Sequence, residues 1–399
     1  MEKSDQHFSE NLSITSGNET QSHKSARRKY SDPIPVDLLI DIFSRVPKES
    51  IARFRCLSKF WEYKFGRPYF TELFLSKSST RPRLLFTLYH DGKLFFYSAP
   101  QPHNPDKDSS LVATRYHMSS HKNVPCVYCT PVCGLTLLQK ILEIRRKMIC
   151  NPITGKFLTL PRVVLKSKTL PHTEETYIAR FYFGYDPISK LYKVLCMTSS
   201  LCDGPNTHQV LTLDSGKRFW RRIKFAFDFV EDSRVHGQIC IDGVLYFGAD
   251  MKDTSVIVCF DVRSEKFDFI NLDKDMMYES YVSGCLTLIN YKGKLGIHER
   301  IPNYWHNVKE LVLWVMEDAG NHKWSKHTYE VPTSIREKSF VGMTATGDIV
   351  WSSYSNSNKC VYFYNLERGT FTSVTIQGFE ELYGSVGTFI DYVENLKFM

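Results

Sequence analysis

Residues 34–75 read IPVDLLIDIFSRVPKESIARFRCLSKFWEYKFGRPYFTELFL and place a cluster of short helices at the head of a chain that is otherwise strand-like. Leu38, Leu39, Ile42 and Val46 recur at helical spacing and make one apolar stripe. Pro35 suits the first turn of that helix, where its missing N–H costs nothing, and Pro47 is expected to end it. Ile51, Phe54 and Leu57 mark a second short helix, and Ser58 suits the N-cap of a third that carries Phe60, Trp61 and Phe65. Gly66 and Pro68 break the third, and residues 69–75 add a further turn or two. Helices this short are marginal alone in water, so they are expected to pack on one another and on a partner.

Upstream, residues 1–30 are rich in Ser, Asn, Gln, Glu and Lys and poor in apolar side chains. Such a segment buries too little surface to offset its ordering entropy, so a disordered polar arm is expected there. Lys24, Arg27, Arg28 and Lys29 form a basic cluster within it, which fits a solvated tail or a nuclear-import signal. The helical module is assigned to residues 31–76 and the body to residues 83–399.

The chain of 399 residues is 42% hydrophobic and 14% aromatic, as expected of a folded soluble protein with more than one unit. Its net charge of +8 is scattered rather than gathered on one predicted helix, so no nucleic-acid partner is expected. No apolar run approaches the roughly 18 residues that a membrane helix needs, and the N-terminus has no apolar signal core. A non-secreted protein of the cytoplasm or nucleus is expected. The 11 cysteines are odd in number and dispersed, and several lie inside apolar runs (Cys196, Cys240, Cys259, Cys285). Free thiols in a reducing compartment explain this better than a disulfide framework.

From Arg83 onward, short apolar or alternating runs are bounded by Gly, Asp, Asn and Pro. A Gly followed by a strand recurs at Gly92, Gly134, Gly184, Gly243, Gly293 and Gly347, at intervals of 42 to 59 residues. A second unit, strand–polar turn–aromatic strand, recurs around Trp220, Phe267, Trp324 and Phe371, at intervals of 47 to 57. A period of about 50 residues with several strands per unit is that of a kelch-type propeller. A small sheet alone leaves both faces wet, whereas radial stacking covers them. Six or seven irregular blades are expected; a large β-sandwich with accidental spacing is the alternative.

Residues that could carry chemistry are few. Cys126, Cys129 and Cys133 have a C-x-x-C spacing that suits zinc, with His121 the nearest fourth ligand, but no second ligand pair follows. Free thiols are the simpler reading, and no metal is expected. Residues 217–224 (KRFWRRIK) mix cations and aromatics as single-strand nucleic-acid grooves do. They also fall on a repeat unit, where the aromatic belongs to the sheet and the cations to solvent. There is no G-x-S-x-G, H-E-x-x-H, P-loop or G-x-G-x-x-G, so no catalytic residue and no cofactor is expected.

The helical stretch resembles the F-box motif. That motif opens with Leu-Pro, continues with Asp-Leu-Leu, an acidic–aliphatic pair and Arg-Leu-Pro, and later has Arg-Phe-Arg-Cys-Val-Ser-Lys-x-Trp. Here these positions read Ile34-Pro35, Asp37-Leu38-Leu39, Asp41-Ile42, Arg45-Val46-Pro47 and Arg53-Phe54-Arg55-Cys56-Leu57-Ser58-Lys59-Phe60-Trp61. Ile34, Val46 and Leu57 depart from the pattern but keep its apolar character. The body resembles the type 3 F-box-associated domain of plant F-box proteins in segments such as ICNPITGKFLTLP, GYDPISKLYKVLCM and YFYNLERGTF.

These resemblances imply a small all-α F-box followed by an all-β, propeller-like domain. They also imply a substrate-receptor subunit of a Skp–cullin–F-box ubiquitin ligase. Ile34, Pro35, Leu38, Leu39, Ile42, Val46 and Pro47 would face the Skp-type adaptor, which joins a cullin–RING ligase. The body would recruit a target protein, for which no binding residue can be named. The alternatives are a propeller lectin or enzyme with an incidental helical prefix, and an F-box protein without a degradation target.

Overall fold

Four helices head the chain in a computed structural model: α1 (Val36–Ser44), α2 (Lys48–Leu57), α3 (Lys59–Phe65) and α4 (Pro68–Ser79). The structure describes residues 34–397 apart from 91–92, 107–108, 119–127, 140–146, 164–176, 201–207, 215, 217, 226–229, 232–233, 252–253, 279–285, 301–309, 336–337, 354–358 and 379–385. The N-terminal arm expected over residues 1–30 lies outside the described residues.

Local chemistry explains the helix boundaries. Ser58 is extended, and its Oγ accepts from the Phe60 N–H at 3.1 Å, the N-cap that its position foretells. Pro68 opens α4. Pro47 does not end α1; that helix stops at Ser44, and Pro47 instead caps the start of α2. A residue before proline is pushed out of the helical region, so Val46 belongs to the link between them. Phe43 is the hub of the module, with ring centroids 4.6, 4.8 and 5.2 Å from those of Phe54, Trp61 and Phe65. Contacts of this kind each add roughly 0.5–1.5 kcal/mol beyond the area they bury.

The body is a six-bladed propeller of four- and five-stranded sheets. Blade 1 contains Arg83–His90, Lys93–Pro100 and Thr114–Met118, and its inner strand is the C-terminal Val386–Tyr392. Blade 2 contains Tyr128–Val132, Leu135–Gln139, Met148–Asn151 and Lys156–Thr159. Blade 3 contains Tyr177–Asp186, Leu191–Ser200, Gln209–Leu213 and Arg221–Arg222. Blade 4 runs from Gln238–Ile241 through Val244–Met251 and Thr254–Asp261 to Phe267–Asn271. After the short helix α5 (Lys274–Tyr278), blade 5 runs from Leu286–Tyr291 to Lys323–Glu330 and blade 6 from Lys338–Met343 to Thr370–Gln377. The ring is closed twice. The last strand joins the first blade, and Ser109–Val112 of the first blade's excursion pairs in parallel with Thr370–Gln377 at the outer edge of the sixth.

The two repeats in the sequence have separate structural meanings. Asn151, Asp261, Asp318 and Asn365 begin the turn into the last consecutive strand of their blades. Each side chain accepts from a backbone N–H two or three residues on, at 3.0, 2.5, 3.2 and 2.9 Å. Gly134, Gly243 and Gly293 sit in two-residue hairpin turns with positive φ, as the spacing implies. Gly184 does not. It lies inside the inner strand of blade 3, where an added Cβ would come 2.7 Å from the Val262 side chain. Gly92 lies outside the described residues.

Aromatic residues fasten one blade to the next. The indole N–H of Trp220 donates to the Pro161 carbonyl at 2.8 Å, and that of Trp324 to the Asn271 carbonyl at 2.9 Å. The Tyr364 hydroxyl donates to the Glu330 carbonyl at 2.9 Å. Each acceptor lies at or just beyond the end of the preceding blade's outermost strand.

Blades 3 and 4 are also joined by the buried Asp186, whose carboxylate takes two hydrogen bonds from Arg263, at 3.1 and 3.2 Å. Burial alone would raise this carboxyl. The Arg263 guanidinium, Ser189 and the backbone N–H groups of Ile188 and Ser189 outweigh burial and hold it well below the usual carboxylate range. The depressed folded value means that this stabilisation is complete above the unfolded value of about 3.9 and fades as pH falls below it. The stability gap between the native chain and an Asp186→Asn variant is therefore expected to narrow as pH is lowered from about 5 to about 2. A gap that stayed constant on urea titration across that range would contradict this assignment.

Candidate functional site

Helix α1 has two apolar flanks, and only one is covered. Ile40 and Phe43 point into the molecule and are buried. Their cluster also holds Ile51, Phe65, Phe70 and Phe74 of the other helices, Leu85 and Phe96 of blade 1, Met148 and Ile153 of blade 2, and Leu396. The helical module therefore shares one core with the propeller. On the opposite flank, Leu38 is 57% exposed and Ile42 49%, with Ile34 exposed just ahead of the helix. The spacing of four residues stacks Leu38 and Ile42 into one ridge, with Ile34 just ahead of its start.

The seven residues singled out in the sequence fall into two groups. Ile34, Pro35, Leu38, Ile42 and Pro47 are exposed, whereas Leu39 and Val46 are half-buried against the internal cluster. The ridge is bordered by charge. Arg45 pairs with Asp41 at 3.1 Å, Lys77 of α4 approaches the same carboxylate at 3.6 Å, and the hydrogen bond from Arg45 lowers the Asp41 carboxyl.

A second exposed apolar group was not legible in the sequence. Leu57 is 74% exposed, and Phe60 and Tyr63 are also exposed. Leu57 and the residues around the α2–α3 corner line an open groove of about 590 Å³ that includes Arg55, Cys56, Lys59 and Glu62. Periodicity places Ile51, Phe54 and Leu57 on one stripe, yet only Ile51 is buried. The stripe breaks because α2 ends at Leu57 and the chain turns sharply through the extended Ser58.

The propeller has two unlike faces. Its first hairpin turns, such as 133–134 and 187–190, lie on the side of the helical module, where Lys190 pairs with Glu72 of α4. Strand ends such as Met118 and Tyr128, Ser200 and Gln209, Glu299 and Glu310, and Gln377 and Val386 lie on the opposite side, and the residues between them fall mostly outside the described residues.

Among the described residues, the remaining sequence candidates do not form a site. Cys126 and His121 lie outside the described residues, and Cys133 occupies a hairpin turn. Among the described residues, no group of three or more His, Cys, Asp or Glu is arranged to hold a metal ion. In the stretch 217–224, Trp220 is half-buried against the blade 3 core and Arg221 pairs with Glu265. Phe219 is exposed, and Lys217 lies outside the described residues. Among the described residues, no helix is long and apolar enough to cross a membrane.

Comparison with known proteins is consistent over the whole chain. Residues 33–73 match the family described as F-box domain, and residues 83–393 match the family described as F-box associated beta propeller domain. A putative F-box protein of Arabidopsis thaliana is 44% identical over 403 residues, spanning 100% of both chains. The F-box protein DOR of the same plant is 41% identical over 391 residues, covering 93% of this chain and 95% of its own. Among solved structures, TolB from Acinetobacter baumannii overlaps 78% of this chain and 66% of its own, with a TM-score of 0.41 and 10% identity.

Proposed function

We propose, for a chain that belongs to the plant F-box proteins bearing an F-box-associated β-propeller, that it is the substrate-receptor subunit of a Skp–cullin–F-box ubiquitin ligase. The observation that carries this reading is the division of α1 into a covered and an uncovered apolar flank. Ile40 and Phe43 hold the helix on its own protein, which leaves Ile34, Leu38 and Ile42 for a groove on the Skp-type adaptor. The exposed Leu57 and Phe60 offer a second apolar group on α2 and α3. Of the family's expected contacts, Leu39 and Val46 then act from behind by positioning the ridge.

The target is taken by the face opposite the helices. Most strand ends there are joined by longer stretches of sequence than on the helix side, where tight turns dominate, and connections of that kind commonly carry binding. The receptor performs no chemistry. Tethering raises the effective concentration of target lysines near the charged ubiquitin carrier, which is held at the other end of the assembly.

Reconstitution tests this directly. The chain is combined with a Skp-type adaptor, a cullin–RING pair, the ubiquitin-activating and -conjugating enzymes, and proteins captured from plant extract on the isolated full chain. Ubiquitin chains are expected on a captured protein only when both adaptor and receptor are present. Adaptor-independent modification, or no stable adaptor complex, would rule the reading out.

A further inference from the structure

We propose that residues 393–397 form a clasp that seats the F-box helices on the propeller in the same step that closes the ring. The direction of the α1 ridge relative to the target-facing side is then set by the C-terminus of the chain. Residues 394–397 lie beyond both matched family regions.

The clasp begins where the inner strand of blade 1 ends. The Tyr392 hydroxyl donates to the Gly134 carbonyl at 3.3 Å. The tail then crosses the 133–134 turn in contact with it. A Cβ on Gly134, whose φ is +83°, would lie 2.4 Å from the Asn395 Cβ and 2.6 Å from the Val393 carbonyl oxygen. Asn395 is buried, and every part of its amide is used. Its Nδ2 donates to the Cys133 carbonyl at 3.0 Å and to the Tyr192 hydroxyl at 2.8 Å, and its Oδ1 accepts from the Lys397 N–H at 2.7 Å.

A second buried asparagine grips the tail from below. Asn151 Nδ2 donates to the Asn395 carbonyl at 2.9 Å and to the Lys397 carbonyl at 3.1 Å. Blades 1, 2 and 3 are thus joined by two amides whose partners are main-chain groups and the Tyr192 hydroxyl. Buried amides of this kind leave orphaned partners when replaced.

The same five residues reach the helices by three routes. Leu396 is buried in the cluster that contains Phe70 and Phe74 of α4. Glu394 accepts from the Tyr116 hydroxyl at 2.7 Å, and the Tyr116 ring lies 3.7 Å beneath the ammonium of Lys48, the first residue of α2. Lys397 also donates to the Lys190 carbonyl at 3.3 Å, and Lys190 itself pairs with Glu72 of α4. A segment that bonds to three blades, shares the core of α4 and reaches α2 through Tyr116 couples ring closure to F-box seating. Its consequence for target presentation rests on the receptor reading above; the clasp itself does not.

Hydrogen exchange followed by mass spectrometry on the full chain bound to a Skp-type adaptor tests this, with Asn395→Ala and, separately, Leu396→Ala. Both variants are expected to speed exchange in α4 and in residues 80–83 at least 10-fold. Blades 4 and 5 should be unchanged, and adaptor affinity should stay within 3-fold. Unchanged exchange in α4, or equal acceleration in blades 4 and 5, overturns the proposal. If Asn395→Ala does not fold, Leu396→Ala alone decides, because it removes only the apolar anchor. Failure of the native chain to bind the adaptor would count against the receptor reading; exchange measured on the free chain would still decide the clasp.

Discussion

Leu38→Asp combined with Ile42→Asp is expected to weaken binding to a Skp-type adaptor by at least about 100-fold while leaving the fold intact. Both side chains are largely exposed in the free chain, so the carboxylates remain hydrated there and cost little. In the proposed complex the same two positions would lie against an apolar groove, and each carboxylate would be stripped of water without a partner. Central apolar contacts of this kind are each worth about 2 kcal/mol or more when lost, though such losses do not add strictly. Leu39 is the wrong companion for Leu38 in this test. It is half-buried against Phe43 and its neighbours, so a charge there would confuse loss of docking with loss of packing. Calorimetric titration of the adaptor, with circular dichroism of the variant alongside, gives the answer. Adaptor affinity within a few-fold of the native value would mean that this ridge is not the docking surface.

The second large effect is on stability. Phe74→Ala is expected to destabilise the chain by about 3–5 kcal/mol, the range seen when a large aromatic is removed from a closed core. Phe74 is fully buried, with Phe70 one turn before it and residues of two blades around it. The cavity would open at the joint between the helices and the propeller, where collapse is resisted from both sides. Phe74→Leu keeps most of the volume and should cost well under half as much. Urea unfolding of the two variants measures both. A change below 1 kcal/mol for Phe74→Ala would show that α4 is not seated in a common core.

Much of the architecture is legible in the chain itself, because it repeats. The Asn or Asp that opens each outer turn must accept from the backbone just ahead of it, so Asn151, Asp261, Asp318 and Asn365 keep one pattern across four blades. The glycines of two-residue hairpins are required by positive φ, as at Gly134 and Gly243. Gly184 breaks the rule because a second pressure, close approach of the Val262 side chain, selects the same residue. Composition cannot separate a glycine needed for its dihedral angles from one needed for its missing Cβ.

The candidate site was legible only in part, for a related reason. Helical spacing identifies Leu38, Leu39, Ile42 and Val46 as apolar neighbours, but it does not say which of them the protein covers with its own residues. Leu57 shows the same limit. It continues a stripe in sequence, yet the chain turns at Ser58 before anything can cover it.

The amino-acid sequence by itself determined the helical head, the strand-rich body and its period of about 50 residues, because turns, caps and side-chain alternation are local and carry local signatures. The tertiary structure alone decided three further things. These are the flank of α1 that stays uncovered, the side of the propeller on which the helices sit, and the grip of the last residues on both units. Each depends on groups from separate segments, the farthest being Asn395, brought to Cys133 and Asn151 from more than two hundred positions away. No periodicity within a single segment encodes a surface that another segment must supply.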